Sequence, residues 1–410
     1  MTTPRHGSLL LYAPVALHQQ DGTFWVEAQA VNGLRLWAAH FDEVVVMMPL
    51  APGPAPAGWL PVSDQAEALA RVRIEPLPMA YRPDVFLGVL PATRRRIAAL
   101  IAEAQYLSFA IGGLFGDWGA VSALMAHRMG RPFAVWTDRV ESKVVRVVSD
   151  QAPLKTRLRA RLTHRPMAWL ERAVIRRATL GLFHGRETYD HYAPYCRNPH
   201  LVHNIHIGPD DHIPPDRLAL KLAEVRAGAP LRLLYVGRAE AMKGPLDWLA
   251  VLASLREKGV AFSAEWLGAG DMLPEMRSRI AEFGLADQVQ TPGFVADRAR
   301  VMEAYRAAHL FLFCHLTPES PRCLIEALTA GVALMGYEGS YARDLIWSNS
   351  GGLLVSPRDT IALTAQVVGL AADRDRLADL IARAARDGSP FSDEAVFRHR
   401  SDLIKTYLAG

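Results

Sequence analysis

The chain has only three cysteines in 410 residues, Cys196, Cys314 and Cys323. Their spacing suits neither a disulfide framework nor a zinc site, and their scarcity leads us to expect a reducing cytoplasm. No apolar run reaches the roughly 20 residues of a membrane-spanning helix. The apolar stretch Ser8–Leu17 follows Arg5 but lacks a small-residue cleavage site, and charged amphipathic sequence comes after it. It therefore reads as a first buried strand, Leu9–Val15, and not as a signal peptide. No G-x-G-x-x-G follows that strand, which disfavours a dinucleotide dehydrogenase, and the Walker spacing is missing too. There is no internal repeat and no low-complexity tract. Charge of one sign is scarce overall: the net charge is +4. With a pI near 9.0, any basic excess must be local.

What is present is a long, half-apolar chain. Apolar residues make up 50% and charged ones 21%, the composition of a soluble α/β protein, and the length calls for two domains. After Leu9–Val15 comes a loop His18–Thr23 with Asp21-Gly22 as its turn signal, then a helix Phe24–Ala39 and a strand Val44–Met48. Pro49–Pro61 is proline-rich and reads as a loop. Strands at Arg71–Leu77, Tyr106–Ile111, Pro132–Thr137, Leu180–His184 and His200–Ile205 alternate with helices at Arg94–Ala104, Asp117–Met129, Lys155–Arg177 and Arg186–Tyr192. The polar, proline-containing Ile207–Leu218 opens a linker over 207–230. A second alternation begins at Leu231–Val236 and runs to a single helix Ile361–Arg386, before a last helix Asp393–Leu408. Such alternation predicts parallel sheets covered on both faces, so each half is expected to be a doubly wound α/β domain, 1–206 and 231–388.

The residues that could carry chemistry collect at strand ends. Leu231–Val236 ends in Gly237-Arg238, with Lys243-Gly244 just before a helix. Glycine lets a ligand approach the backbone, and two cations beside a helix N-terminus suit a diphosphate. Two ordinary surface cations on a solvated loop explain the motif equally well. Gly268 and Gly270 lie in a second glycine-rich strand end, Trp266–Asp271, and Pro292–Val295, with Phe294 and Val295, forms a third. The stretch 311–336 reads strand, loop, helix, strand, with Glu319 in the loop and Glu326 in the first helical turn, where the macrodipole favours a carboxylate. In a doubly wound sheet all these strand ends share one edge, the edge where ligands bind.

In this order and spacing, G-R-x4-K-G, WLGAGD, PGFV, TPESPRCLIEALTAG, GYEGSYARDL and NSGGLLV, the half from Leu231 to Val355 resembles the donor-binding domain of the family 4 glycosyltransferases, also called group 1, which have the GT-B fold. The first half matches in architecture, with His203-Asn204 resembling the family's last strand before the linker. The resemblance implies two Rossmann-like domains facing across a cleft, with transfer between them. A nucleotide-diphosphate sugar would sit on the C-terminal domain and a saccharide or lipid-linked acceptor on the N-terminal one, with anomeric configuration retained and no metal or other cofactor. Arg238 and Lys243 would then stabilise the departing diphosphate, Glu319 would face the sugar, and Glu326 would hold the ribose hydroxyls. Gly237, Gly268, Gly270, Phe294, Val295, Arg322, Cys323 and Leu324 would line the donor. Asp21, Gly22 and Thr23 would lie on the acceptor side, and 389–410 would pack back on the first domain. Arg238 and Lys243 are expected to matter for turnover and not for stability.

The chain departs from the family in two places. The usual glutamate pair has seven residues between its members, whereas Glu319 and Glu326 have six. Where many relatives carry a histidine after a first-domain strand, this chain has Asp138, which either replaces it near the sugar or caps a turn. Arg322 either meets an acidic sugar or pairs with a glutamate. His203 and His206 have no visible third ligand, and Asp373-Arg374-Asp375 reads as a solvated helix face. Arg94, Arg95 and Arg96, with the arginine-dense segment Lys155–Arg177, suggest a surface for anionic lipid headgroups on the inner face of the cytoplasmic membrane. No nucleic-acid recognition motif accompanies them. The rival readings are a sugar-nucleotide epimerase of the same fold and a non-catalytic sugar-nucleotide-binding partner. Donor sugar, base, acceptor and linkage are not legible.

Overall fold

A computed structural model describes residues 5–56, 58–149, 154–317 and 319–409, and the side chains of 147–161 lie outside it. The chain divides into two compact units, Met1–His206 with Asp393–Gly410, and Ile207–Ser392.

In the first unit the apolar runs become strands: β1 (Arg5–Tyr12), β2 (His18–Gln20), β3 (Thr23–Glu27), β4 (Glu43–Leu50), β5 (Trp59–Pro61), β6 (Val72–Pro78), β7 (Ala104–Ala110), β8 (Ala134–Thr137), β9 (Leu180–His184) and β10 (Pro199–Val202). Seven form one sheet in the order β10-β9-β8-β7-β1-β4-β6, with every pair parallel. The helices are α1 (Ala28–Ala38), α2 (Pro83–Glu103), α3 (Trp118–Arg128), α4 (Glu141–Ser149), α5 (Leu154–Ile175) and α6 (Gly185–Tyr192). Successive residues of β1 point to opposite faces. Leu10 thus joins Phe109, Trp118 and Val135 in one core layer, while Leu9 and Leu11 join Val44, Val46 and Trp37 in the other. The helix Asp393–Leu408 completes that second layer with Phe397, Ile404 and Leu408.

Three expectations for this unit need correction. The loop His18–Thr23 and the start of the expected helix form a β-hairpin. Asp21 (φ 52°) and Gly22 (φ 77°) are its two turn residues, both left-handed as a type I′ turn requires, and Phe24–Glu27 is strand. Part of the proline-rich loop, Trp59–Pro61, pairs with β3 as a third antiparallel strand. A helix not read from the sequence, α4, precedes α5.

The second unit contains α7 (Pro215–Arg226), β11 (Leu231–Val236), α8 (Pro245–Glu257), β12 (Phe262–Leu267), α9 (Leu273–Glu282), β13 (Val289–Gly293), α10 (Arg298–Ala307), β14 (Leu310–Phe313), α11 (Arg322–Thr329), β15 (Ala333–Tyr337), α12 (Ser340–Leu345), β16 (Gly352–Val355), α13 (Thr360–Ala372) and α14 (Arg374–Gly388). Its six strands run in the order β13-β12-β11-β14-β15-β16, all parallel. In both sheets the chain starts at an inner strand, works to one edge, then returns to build the other side. The reversal lies between β1 and β7 in the first and between β11 and β14 in the second, and doubly wound sheets bind ligands at such points. The expected single helix Ile361–Arg386 is two, because the Asp373 side chain accepts the Arg376 N–H at 2.9 Å and caps α14.

The segment 207–230, expected as a linker, belongs to the second unit. Pro215 at the first helical position starts α7, because its fixed φ is already helical and its missing N–H would go unused there. That helix buries Val225 and Lys221. The Lys221 Nζ donates to the carbonyls of Ala330 (3.1 Å) and Gly331 (2.9 Å) at the end of α11. Burial, then the nearby Arg232 and Arg217, lower its pKa from 10.5 to about 7. The unfolded chain thus binds more protons than the folded one between those values, so this group makes stability rise with pH from about 7 to 10.5. In a melting series across that range, Lys221→Met should flatten the slope; an unchanged slope would refute the assignment.

Candidate functional site

At the reversal point of the second sheet, β11 runs into Gly237 and Arg238, a short 3-10 turn Ala241–Lys243 follows, and α8 begins after Gly244. Gly244 is left-handed (φ 63°), and a Cβ there would sit 2.2 Å from the Cys314 carbonyl oxygen, so only glycine lets this loop lie against the end of β14. The ends of β11 and β12 are laced together. Gly237 N–H donates to the Leu267 carbonyl at 2.9 Å and Ala239 N–H to the Ala269 carbonyl at 3.0 Å. Gly268 and Gly270 are packed against that backbone.

Lys243 is buried, unlike the open-loop cation expected. Its Nζ lies 2.5 Å from Glu319 Oε1, and the two side chains are 10% and 11% exposed. Arg238 is open, with its side chain 66% exposed and Nη1 2.8 Å from Glu240. Beneath them the Tyr235 hydroxyl meets His315 Nε2 at 2.9 Å. Burial, then the charge of Lys243, pushes the His315 pKa well below 6.5, so this imidazole is neutral. Burial also raises the Cys323 thiol to about 12, so it is no nucleophile at neutral pH.

Glu326, on α11, is held from two sides. Arg298 Nη1 donates to its Oε1 at 2.7 Å, and the Tyr305 hydroxyl to its Oε2 at 3.1 Å. Sequence reasoning missed both partners. They lie seven residues apart on α10, two turns along one face, but nothing local marks that face as a site. Arg322, Cys323 and Leu324 form the first turn of α11, whose N-cap Pro321 offers no side-chain cap. Phe294 stands 73% exposed beyond β13, with Val295 next to it at the sheet edge. The structure thus brings Lys243 to Glu319 and packs Gly268 on Gly237, while Arg238 and Phe294 face solvent.

The first sheet has its own site. A cavity of about 600 Å³ opens at its reversal point, lined by Tyr12 and Ile111 from the β1 and β7 ends, by Tyr81, Phe115 and Trp136, and by Asp138 and Glu141. Asn204 Nδ2 donates to the two Asp138 oxygens at 3.3 and 3.1 Å. Asp117, in the same wall, caps α3 and accepts the N–H groups of Gly112 (3.0 Å) and Gly113 (3.1 Å). Asp21, Gly22 and Thr23 lie on the hairpin and outside this lining. His203 is half-buried, and desolvation followed by the neighbouring His184 lowers its pKa to about 3. Among the described residues no three His, Cys, Asp or Glu side chains converge as metal ligands would.

Comparison with known proteins agrees with this architecture. Residues 221–387 match the family described as glycosyl transferases group 1. The chain is 25% identical over 269 residues to the putative colanic acid biosynthesis glycosyltransferase WcaL of Salmonella typhimurium, a match covering 58% of this chain and 66% of WcaL, just under two thirds of that relative's length. It is 29% identical over 167 residues to the 2-deoxystreptamine N-acetyl-D-glucosaminyltransferase of Streptomyces fradiae, covering 40% of this chain and 39% of that one. In fold it resembles Anabaena HepE, solved with UDP, at a TM-score of 0.67 and 16% identity over 97% of this chain and 99% of HepE. The sucrose-phosphate synthase of Thermosynechococcus elongatus superposes with a TM-score of 0.68 at 16% identity, over 98% and 100% of the two chains.

Proposed function

We propose, since the chain has the GT-B fold and its residues 221–387 match the glycosyl transferases group 1, that it moves a sugar from a nucleotide-diphosphate sugar to a saccharide acceptor, with retention at the anomeric carbon. The observation that carries this is the buried Lys243 at the reversal point of the second sheet, within 2.5 Å of Glu319 and one short turn from Arg238. As the bond between the anomeric carbon and the diphosphate oxygen breaks, the electron pair goes to that oxygen, an acceptor hydroxyl oxygen bonds to the anomeric carbon, and the hydroxyl proton passes to the departing diphosphate. Cations already in place meet the growing charge, so no metal is needed. Glu319 faces the sugar and Glu326 takes the ribose hydroxyls. Gly237, Gly268 and Gly270 let the nucleotide approach the backbone, and the N-terminal end of α11 offers its helix dipole to phosphate.

The acceptor site is the first-sheet cavity. Tyr12, Tyr81 and Trp136 offer flat apolar faces for sugar rings, and Asp138, held by Asn204, offers a carboxylate to a hydroxyl. WcaL is described as acting in colanic acid biosynthesis, so polysaccharide assembly on a lipid-linked acceptor is the setting we favour, with the protein on the inner face of the cytoplasmic membrane. The test is a panel of nucleotide sugars, led by UDP-sugars, read by melting temperature and by donor breakdown. A stabilising sugar with slow donor hydrolysis supports a transferase, an isomeric product supports an epimerase, and stabilisation without turnover supports a binding protein.

For the membrane, the structure narrows the basic surface. All three arginines are exposed, but Arg96 Nη2 lies 2.6 Å from both Glu75 oxygens, so Arg94 and Arg95 are the two chosen for the test. Lys155, Arg157, Arg159 and Arg161 lie outside the described side chains, while Trp169 is 71% exposed on the same helix, α5. Vesicles with anionic lipid should bind the protein and release it in salt, as the attraction is screened over about 10 Å at 0.1 M. Arg94→Ser with Arg95→Ser should weaken binding. Equal binding to neutral vesicles would dismiss the electrostatic version.

A further inference from the structure

The two terminal nitrogens of Arg298 reach different carboxylates. Nη1 donates to Glu326 Oε1 at 2.7 Å, and Nη2 donates to Asp211 Oδ2 at 3.1 Å. Asp211 closes the 3-10 turn Pro209–Asp211 just after the unit boundary, and its Oδ2 also accepts the Gly208 N–H at 3.0 Å. Arg306, on the same helix as Arg298, donates to the Asp210 carbonyl. The segment 208–211 is thus fastened to α10 by two arginines. A guanidinium is a rigid planar fork, so anchoring one tine on Asp211 fixes the other, and with it the Glu326 oxygen it holds. Tyr305 fixes the second oxygen at 3.1 Å. Each Glu326 oxygen then has one protein donor and keeps acceptor capacity.

We propose that Arg298 is a positioning residue for ribose recognition. Anchored on Asp211, it aims the Glu326 carboxylate at the two ribose hydroxyls, so nucleotide affinity depends on the segment that leads into the domain. This rests on Glu326 being the ribose contact. A merely structural ion pair would change melting temperature without distinguishing one nucleotide from another.

The test is calorimetric titration with whichever of UDP, GDP or ADP binds most tightly, and with its 2′,3′-dideoxy counterpart. Arg298→Met and Asp211→Asn should weaken the ribonucleotide about tenfold, since a charged hydrogen bond is lost or misaimed, and leave the dideoxy compound nearly unchanged. Arg298→Lys should fall between, because an ammonium cannot span both carboxylates in one plane. Should Arg298→Met fail to fold, Arg298→Lys and Asp211→Asn carry the comparison. Equal losses for both compounds, or no loss, would overturn the proposal. Glu326→Ala separates the layers. If it abolishes the ribose preference while Arg298→Met preserves it, only the role of Arg298 fails. If Glu326→Ala leaves the preference intact, or no nucleotide binds the parent, the ribose reading itself fails.

Discussion

Lys243→Ala should lower turnover of the cognate nucleotide sugar by about 10²–10³, the usual loss when one contact to a developing anion is removed. Unlike a surface cation, Lys243 also has a structural partner. Its Nζ lies 2.5 Å from Glu319 and both side chains are only about a tenth exposed. Truncating it leaves a carboxylate with little water and no counter-charge, and breaking a buried pair costs up to roughly 3–5 kcal/mol. Partial exposure puts this site at the lower end. A lost rate could therefore be misread as lost fold. Lys243→Met combined with Glu319→Gln removes the stranded charge, so its melting temperature should return toward the parent while its turnover stays low. Steady-state kinetics on that folded double variant decide the matter: near-parent turnover would show that Lys243 does not meet the diphosphate.

Gly268→Ala should be among the most destabilising single-methyl changes in the chain. An added Cβ would lie 1.9 Å from the Gly237 carbonyl oxygen and 2.7 Å from its carbon, at φ +153°. Both are backbone atoms, so no rotamer change relieves the clash. The Gly268 N–H is also committed to the Gly293 carbonyl at 2.9 Å, which restrains β12 from moving away. The Gly237–Ala239 loop must yield, and we expect a loss of about 3 kcal/mol or more, together with a misplaced Arg238 and weaker nucleotide binding. Gly228→Ala is the control. It too has positive φ (+81°) but nothing within 4 Å, so only the left-handed strain of about 1–2 kcal/mol applies. Denaturant unfolding of the two variants should rank them in that order; equal losses would mean the clash is relieved at no cost.

Much of this was legible because parallel strands buried on both faces leave continuous apolar runs, as in Leu310–Phe313, and because glycine at a strand end has few other uses. Leu180–His184 and Asp393–Leu408 fall where the sequence pattern puts them. The misreadings share a cause, which is that short-range signals were decided by contacts elsewhere. Phe24 and Val26 fit a helical spacing, yet the Asp21-Gly22 turn pairs Phe24 with Gln19 of β2, and Val26 pairs with Leu60 of β5. Pro214-Pro215 looked like linker composition and instead begins a helix packed on its own domain. Asp373 sits in an unbroken amphipathic pattern, and only its cap on Arg376 ends one helix and starts another. At the site, Glu326 could be singled out, but its partners could not. Arg298 precedes it by 28 residues and Tyr305 by 21, and Asp211 is 87 residues from Arg298.

The first unit draws its core from two distant parts of the chain, with Phe397, Ile404 and Leu408 filling the layer that holds Trp37 and Val44. Within that layer the Arg400 guanidinium lies 4.8 Å from the Trp37 ring and 5.4 Å from that of Trp136, and Trp136 lines the first-sheet cavity. During synthesis, then, the domain that starts first cannot finish first. All of 207–392 must leave the ribosome before the wedge that seats Trp136 becomes available, while the second unit is continuous and can close on its own. The nascent chain should therefore carry a folded second unit and an uncovered sheet face in the first, and that face is where a chaperone would be expected to bind.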